Sequence, residues 1–321
     1  MATFPQDAIG GAKAEIMSIR ERRQELRSQP RTIDLEDFIP AKAQVICVAS
    51  GKGGTGKTIV ASNLAVLMAR RGLRVTLVDA DFGLANAHLV LGMNPKHDVS
   101  AVVRGELSID RVCERGPCGV RLVPGGSGRA ELTVLAGDEL SVLAGELYRL
   151  EESSDVIIVD LGAGINPQVL KFLNAAHDIV LVTDHEATAR SDAMAAIGVL
   201  ADILGAATIH VVMNRVRDRE HSVVAFQKLW GEVNRRWLSR IKLYFSGWMP
   251  ENWYVKSSVI LGKPLVLAHP RSLPARCLGT MAEKLCKHHA VWRNRQIGRW
   301  GARSAFARLA EMSGSSPSLR V

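Results

Sequence analysis

The sequence predicts an α/β fold: a doubly wound, mostly parallel sheet with helices on both faces. Seven short runs, at 44–49, 74–79, 120–123, 155–160, 178–183, 207–213 and 241–246, are separated by segments of helix length. The runs are largely apolar along their length rather than alternating, which suits strands buried on both faces. The first run empties into a glycine-rich octapeptide and then a helix-like stretch, so strand, loop and helix follow in that order. In such sheets ligands sit beyond the carboxyl ends of the strands, which makes the strand exits the places to look for chemistry.

Composition supports a large packed core, with 321 residues of which 47% are apolar. No apolar run approaches the roughly 18 residues of a membrane span, and residues 1–10, which include Asp7, show no basic-then-apolar secretion signal. Cys47, Cys113, Cys118, Cys277 and Cys286 are scattered and odd in number, which suits a reducing cytoplasm. No pair has C-x-x-C spacing, so a metal or redox site has little support. The net charge of +9 is unevenly placed: residues 1–42 carry seven charges of each sign, 43–283 carry 26 basic against 24 acidic, and 284–310 carry seven basic and none acidic. Three parts are therefore expected: an N-terminal helical extension and linker (1–42), the α/β domain (43–283) and a basic C-terminal tail (284–321).

Taken in order, residues 11–29 read as one charged helix with a thin stripe of Ile16, Ile19 and Leu26, ended by Pro30. It is either a docking helix or a solvated extension. The first strand, with Val45, Ile46, Cys47 and Val48, leads into Gly51-Lys52-Gly53-Gly54-Thr55-Gly56-Lys57-Thr58, and Ile59, Val60, Leu64 and Leu67 follow on the helix. Its glycines let backbone N–H groups converge on phosphate oxygens, and the helix adds the positive end of its dipole. Lys57 is expected on the β/γ-phosphates and the Thr58 hydroxyl on Mg²⁺. Residues 51–59 are the expected nucleotide-binding set.

The second strand leaves through Asp79-Ala80-Asp81-Phe82-Gly83. Two carboxylates two residues apart point the same way, so Asp81 can orient an attacking water with Asp79 in support. The fourth strand ends in Asp160, followed by Leu161-Gly162-Ala163-Gly164, a Walker B pattern in which the carboxylate holds a Mg²⁺ water. No Glu follows Asp160, which shifts the catalytic load to Asp81. The fifth strand leads to Thr183-Asp184-His185-Glu186, where His185 reads as a surface loop histidine. The sixth ends in Asn214-Arg215, whose amide has the donor and acceptor to pair with a nucleobase edge.

Together these residues resemble the deviant Walker A ATPases of the MinD/ParA family over about residues 44–283. The loop K-G-G-T-G-K-T supplies that family's signature lysine at Lys52 besides the ordinary Lys57. The resemblance implies an ATP- and Mg²⁺-dependent switch between monomer and homodimer, with Lys52 reaching the partner's phosphates in trans. By similarity Lys52, Lys57 and Asp81 are the catalytic set, Thr58 and Asp160 the Mg²⁺ ligands, and Asn214 the adenine contact. The stretch D-A-D-F-G-L-A-N from Asp79, together with Val123-Pro124-Gly125-Gly126, is similar to the MinD-like branch containing FlhG/FleN, which controls flagellar number and position. The D-Q-A-x-x-L-R segment that opens that branch has no match within residues 1–31.

In that branch a C-terminal amphipathic helix binds membrane in the ATP state. Here Trp292, Ile297, Trp300 and Phe306 lie among Arg293, Arg295, Arg299, Arg303 and Arg308, and basic residues with interleaved aromatics suit an anionic lipid surface. The resemblance thus implies a cytoplasmic protein, peripheral on the cytoplasmic face of the inner membrane, with a protein partner that regulates hydrolysis. A ParA-type ATPase binding nucleoid DNA is the alternative. An iron–sulfur carrier of the Mrp type would need the C-x-x-C pair that the sequence lacks.

Overall fold

A computed structural model describes residues 41–126, 137–204, 207–237, 240–296 and 304–312. The helix expected at 11–29 lies outside them. The strands are β1 (Gln44–Ala49), β2 (Val75–Ala80), β3 (Glu114–Arg115), β4 (Arg121–Val123), β5 (Val156–Leu161), β6 (Asp178–Thr183), β7 (Ala207–Val216) and β8 (Ile241–Pro250). They form one sheet in the order β3-β4-β2-β5-β1-β6-β7-β8, in which only the β3–β4 pairing is antiparallel. Every residue of β1, β2, β5 and β6 is buried, as strands covered on both faces require. The seven expected strands are present. The eighth, β3, is a two-residue edge pairing of charged side chains and carries no apolar signal.

In chain order the helices are α1 (Lys57–Ala69), α2 (Ala87–Leu91), α3 (Val99–Val103), α4 (Ile109–Val112), α5 (Gly137–Glu152), α6 (Pro167–Ala175), α7 (Ala187–Leu204), α8 (Arg219–Trp237), α9 (Trp253–Ile260), α10 (Leu265–Ala268), α11 (Leu273–Gln296) and α12 (Ala305–Glu311). Alternation along β1 divides the core into two layers. Ile46 and Val48 pack with Leu64 and Met68 of α1 and Leu278 and Met281 of α11. Val45 and Cys47 face the other way, among Leu143 of α5, Phe172 of α6, Ile197 of α7, Leu229 of α8 and Phe306 of α12. No helix among the described residues is long and apolar enough to cross a membrane.

The C-terminal segment, expected as a basic tail, is built partly into the domain. The boundary expected at 283/284 falls inside α11, which continues to Gln296. Trp292 packs against the rings of His177 and His289, with centroids 5.3 and 5.8 Å away. Beyond it, Ser304 caps α12 and donates a 2.5 Å hydrogen bond to Glu151, while Arg308 donates to the Ala175 carbonyl. Phe306 is 1% exposed and Leu309 fully buried. The spacing Ala305, Phe306, Leu309, Ala310 gathers the apolar residues on one helical face, and burying Phe306 contributes about 1.5–3 kcal/mol. Phe306 is therefore buried in the fold, and Trp292 and Arg308 are half-buried against it; Ile297, Arg299, Trp300 and Arg303 lie outside the described residues.

Candidate functional site

The glycine-rich loop closes over the start of α1 as a phosphate cradle. Gly54 and Gly56 hold φ of 73° and 90°, left-handed values that favour glycine. Gly56 is also the N-cap and offers no side-chain acceptor, so first-turn N–H groups of a 13-residue helix remain for an anion. Two contacts fix the loop from outside. A Cβ on Gly51 would lie 2.5 Å from the Asp192 carbonyl carbon, and one on Gly56 would lie 2.4 Å from Asn214 Nδ2. Lys57 is 7% exposed, at the first position of α1. Ile59 faces the other way, partly buried against the α1 layer, with its carbonyl accepting from Asn63.

Two carboxylates converge beside Lys57 and Thr58. Asp79 and Asp160 are register partners on β2 and β5, each 1% exposed. Asp79 accepts hydrogen bonds from the backbone N–H groups of Ala87 (2.9 Å) and Asp81 (3.2 Å), so it ties down the loop that follows β2. No donor reaches either oxygen of Asp160 in hydrogen-bonding geometry. Burial raises its carboxyl to about 8, with the Asp79 charge adding to the rise and Thr58 and Lys57 opposing it. Asp79, buried in the same way, is raised to about 6. A buried carboxylate without donors, beside a threonine hydroxyl, suits a hard divalent cation with oxygen ligands, so Asp160 and Thr58 fit Mg²⁺. When bound, that ion offsets phosphate charge during transfer.

Asp81 stands at the rim of this pair, partly exposed, with its Oδ1 3.6 Å from where a Cβ on Gly162 would sit. It borders an open cleft of about 340 Å³ between the loop after β2, the loop after β5 and the start of α6, lined by Phe82, Leu84, Gly162, Ala163 and Gln168 among others. Lys52 points elsewhere: its Nζ is 2.9 Å from Glu186 and 3.6 Å from Asp184 of the same chain. The Glu186 carboxylate raises the Lys52 ammonium above its ordinary pKa. Asp184 and Glu186 carry no motif of their own in the sequence, although the strand exit that bears them stands out, and His185 between them is exposed.

Asn214 is 4% exposed, and its amide is engaged within the chain. Its Nδ2 donates to the Thr55 carbonyl at 2.6 Å, and its Oδ1 accepts from the Arg215 N–H at 2.9 Å. The amide thus braces the cradle, and Arg215 adopts φ of 53° to reach it.

Residues 46–250 match the model of the CobQ/CobB/MinD/ParA nucleotide binding domain. The chain is 35% identical over 242 residues to the antiactivator FleN of Pseudomonas aeruginosa, covering 75% of this chain and 86% of that protein. It is 28% identical to the flagellum site-determining protein YlxH of Helicobacter pylori, over 84% and 90% of the two chains. The septum site-determining protein MinD of Pyrococcus horikoshii, solved with Mg-ADP, superposes with a TM-score of 0.66 at 25% identity over 78% of this chain and 98% of that one. A phosphate cradle at the first strand exit, a paired-acid centre beside it and a matched domain that spans most of the chain together make this protein a member of the CobQ/CobB/MinD/ParA nucleotide-binding family.

Proposed function

We propose that the chain is an ATP-dependent dimerising switch that hydrolyses ATP with Mg²⁺ and governs the placement or number of a cellular structure of the flagellar or septal kind. The observation that carries this reading is the convergence of Lys57, Thr58, Asp160 and Asp81 at one end of the sheet, with the charge of Lys52 on the surface beside them. Lys57 and the loop N–H groups hold the phosphates, Thr58 and Asp160 hold the ion, and Asp81 orients the attacking water. Lys52 completes the site only by leaving Glu186 and Asp184 for the phosphates of a second copy.

The partner is a protein that sets the hydrolysis rate; the FleN relative, described as an antiactivator, supports that class. Five free cysteines support a reducing, cytoplasmic setting. Membrane attachment in the ATP state narrows to residues 293–303, because Trp292, Phe306 and Arg308 are engaged elsewhere. The test is sedimentation with Mg-ATP and with Mg-ADP, alone, with anionic liposomes and with duplex DNA. The expected result is an ATP-specific dimer that pellets with liposomes. ATP-dependent pelleting with DNA replaces this reading by the partition type, and an ATPase rate per chain that is indifferent to protein concentration removes the trans role of Lys52.

A further inference from the structure

A second polar centre lies at the opposite end of the sheet, where β1 and β6 begin. The geometry points to a binding site for a divalent transition metal of the zinc class, held by Asp178, His210 and His288. These residues come from β6, β7 and α11, and one ligand atom from each lies within 4.8 Å of the others. His210 Nε2 is 3.6 Å from Asp178 Oδ1, and His288 Nδ1 is 3.6 Å from Asp178 Oδ2. A tetrahedral ion with bonds of about 2.0 Å needs ligand atoms about 3.3 Å apart, so closure asks for small movements, chiefly of His288. That side chain is 37% exposed and opens the site to solvent, from which an oxygen completes the coordination.

The surrounding bonds prepare lone pairs rather than protons. His210 Nδ1 is 3.0 Å from Ser246 Oγ, and in the tautomer that donates to the hydroxyl Nε2 is an acceptor. That Nε2 is buried and has no hydrogen-bond partner, on a side chain 8% exposed. The Gln44 amide is oriented by His289, which contacts its Oε1 at 2.9 Å. Its Nε2 therefore faces Asp178 Oδ2 at 2.6 Å and His288 Nδ1 at 3.5 Å, which makes the latter an acceptor too. Two imidazole lone pairs and a carboxylate around one point are a nitrogen-rich set that suits zinc, cobalt or nickel rather than Mg²⁺. A metal there ties α11 to the sheet.

The experiment uses the full chain, stripped with chelator and free of nucleotide, titrated with Zn²⁺ against a chromogenic chelator and separately with Co²⁺. The expected result is a saturable one-equivalent phase that His288→Gln and Asp178→Asn each weaken by about tenfold or more. The Co²⁺ complex should lack a strong thiolate charge-transfer band, and His288→Gln, which alters a half-exposed side chain, should leave nucleotide affinity unchanged. Absence of a saturable phase, its retention in both variants, or a thiolate band that assigns the metal to cysteines overturns the site.

Discussion

Asp79 on β2 and Asp160 on β5 face each other across adjacent parallel strands, and both carboxylates are almost wholly removed from solvent. Two buried acids cannot both ionise cheaply, so the pair retains a proton at pH values where the unfolded chain has lost it. Asp160 moves from an ordinary 3.8 to about 8, so between those values the native state binds more protons than the unfolded state. Stability of the nucleotide-free chain therefore falls as the pH rises from about 5 towards 8. Thermal unfolding across that range should show a declining Tm. Asp160→Asn should flatten the decline, and so should Mg²⁺ with nucleotide, which neutralises the pair.

Lys52 bears on the energetics of assembly. Its pair with Glu186, whose side chain is 59% exposed, is screened by solvent and holds Lys52 only weakly. Glu186→Gln should strengthen ATP-dependent dimerisation by no more than about fivefold, read as the dissociation constant in analytical ultracentrifugation. Lys52→Ala should bind ATP normally and lose most of its turnover. If Glu186→Gln weakens the dimer, the acid serves the interface rather than the resting monomer.

Gly51 has no room for a side chain. A methyl group there meets the Asp192 backbone at 2.5 Å, and backbone cannot swing away as a flexible side chain can. Gly51→Ala should displace the loop, cost about 1–3 kcal/mol of stability and weaken ATP binding by tenfold or more in calorimetry. Lys57→Ala should abolish binding without comparable loss of stability. Asp81→Ala should keep ATP and hold the dimer, because it removes water orientation and not phosphate contacts; a monomer in size-exclusion runs with ATP would contradict that role.

Much of this was legible in the sequence because the phosphate cradle is a local object: strand, glycines, lysine and helix are consecutive, and their chemistry follows from their order. The strands were legible for a similar reason, since burial on both faces writes an uninterrupted apolar run such as Val156 to Val159. What stayed hidden depends on partners far away in the chain. Nothing near Asn214 says that its amide will be used by Thr55, 159 residues earlier. Nothing near His288 says that it will meet Asp178 and His210. The two-residue strand β3 was invisible because an edge pairing of Glu114 and Arg115 needs no apolar side chains.

The C-terminal segment gives the sharpest test of such long-range packing. Phe306 sits among α5, α6 and the sheet, and Ser304 anchors the start of its helix on Glu151, itself fully buried. Removing a buried phenylalanine leaves both a lost transfer energy and a cavity, so Phe306→Ala should cost about 3–5 kcal/mol. Urea denaturation should show this as a lower midpoint with an unchanged slope. A free membrane-binding tail predicts the reverse, with undisturbed stability and loss of liposome binding. Arg293→Ala with Arg295→Ala separates the two roles: stability should hold, and ATP-dependent liposome pelleting should fall if that stretch meets lipid, because each arginine brought near an anionic surface is worth about 1 kcal/mol.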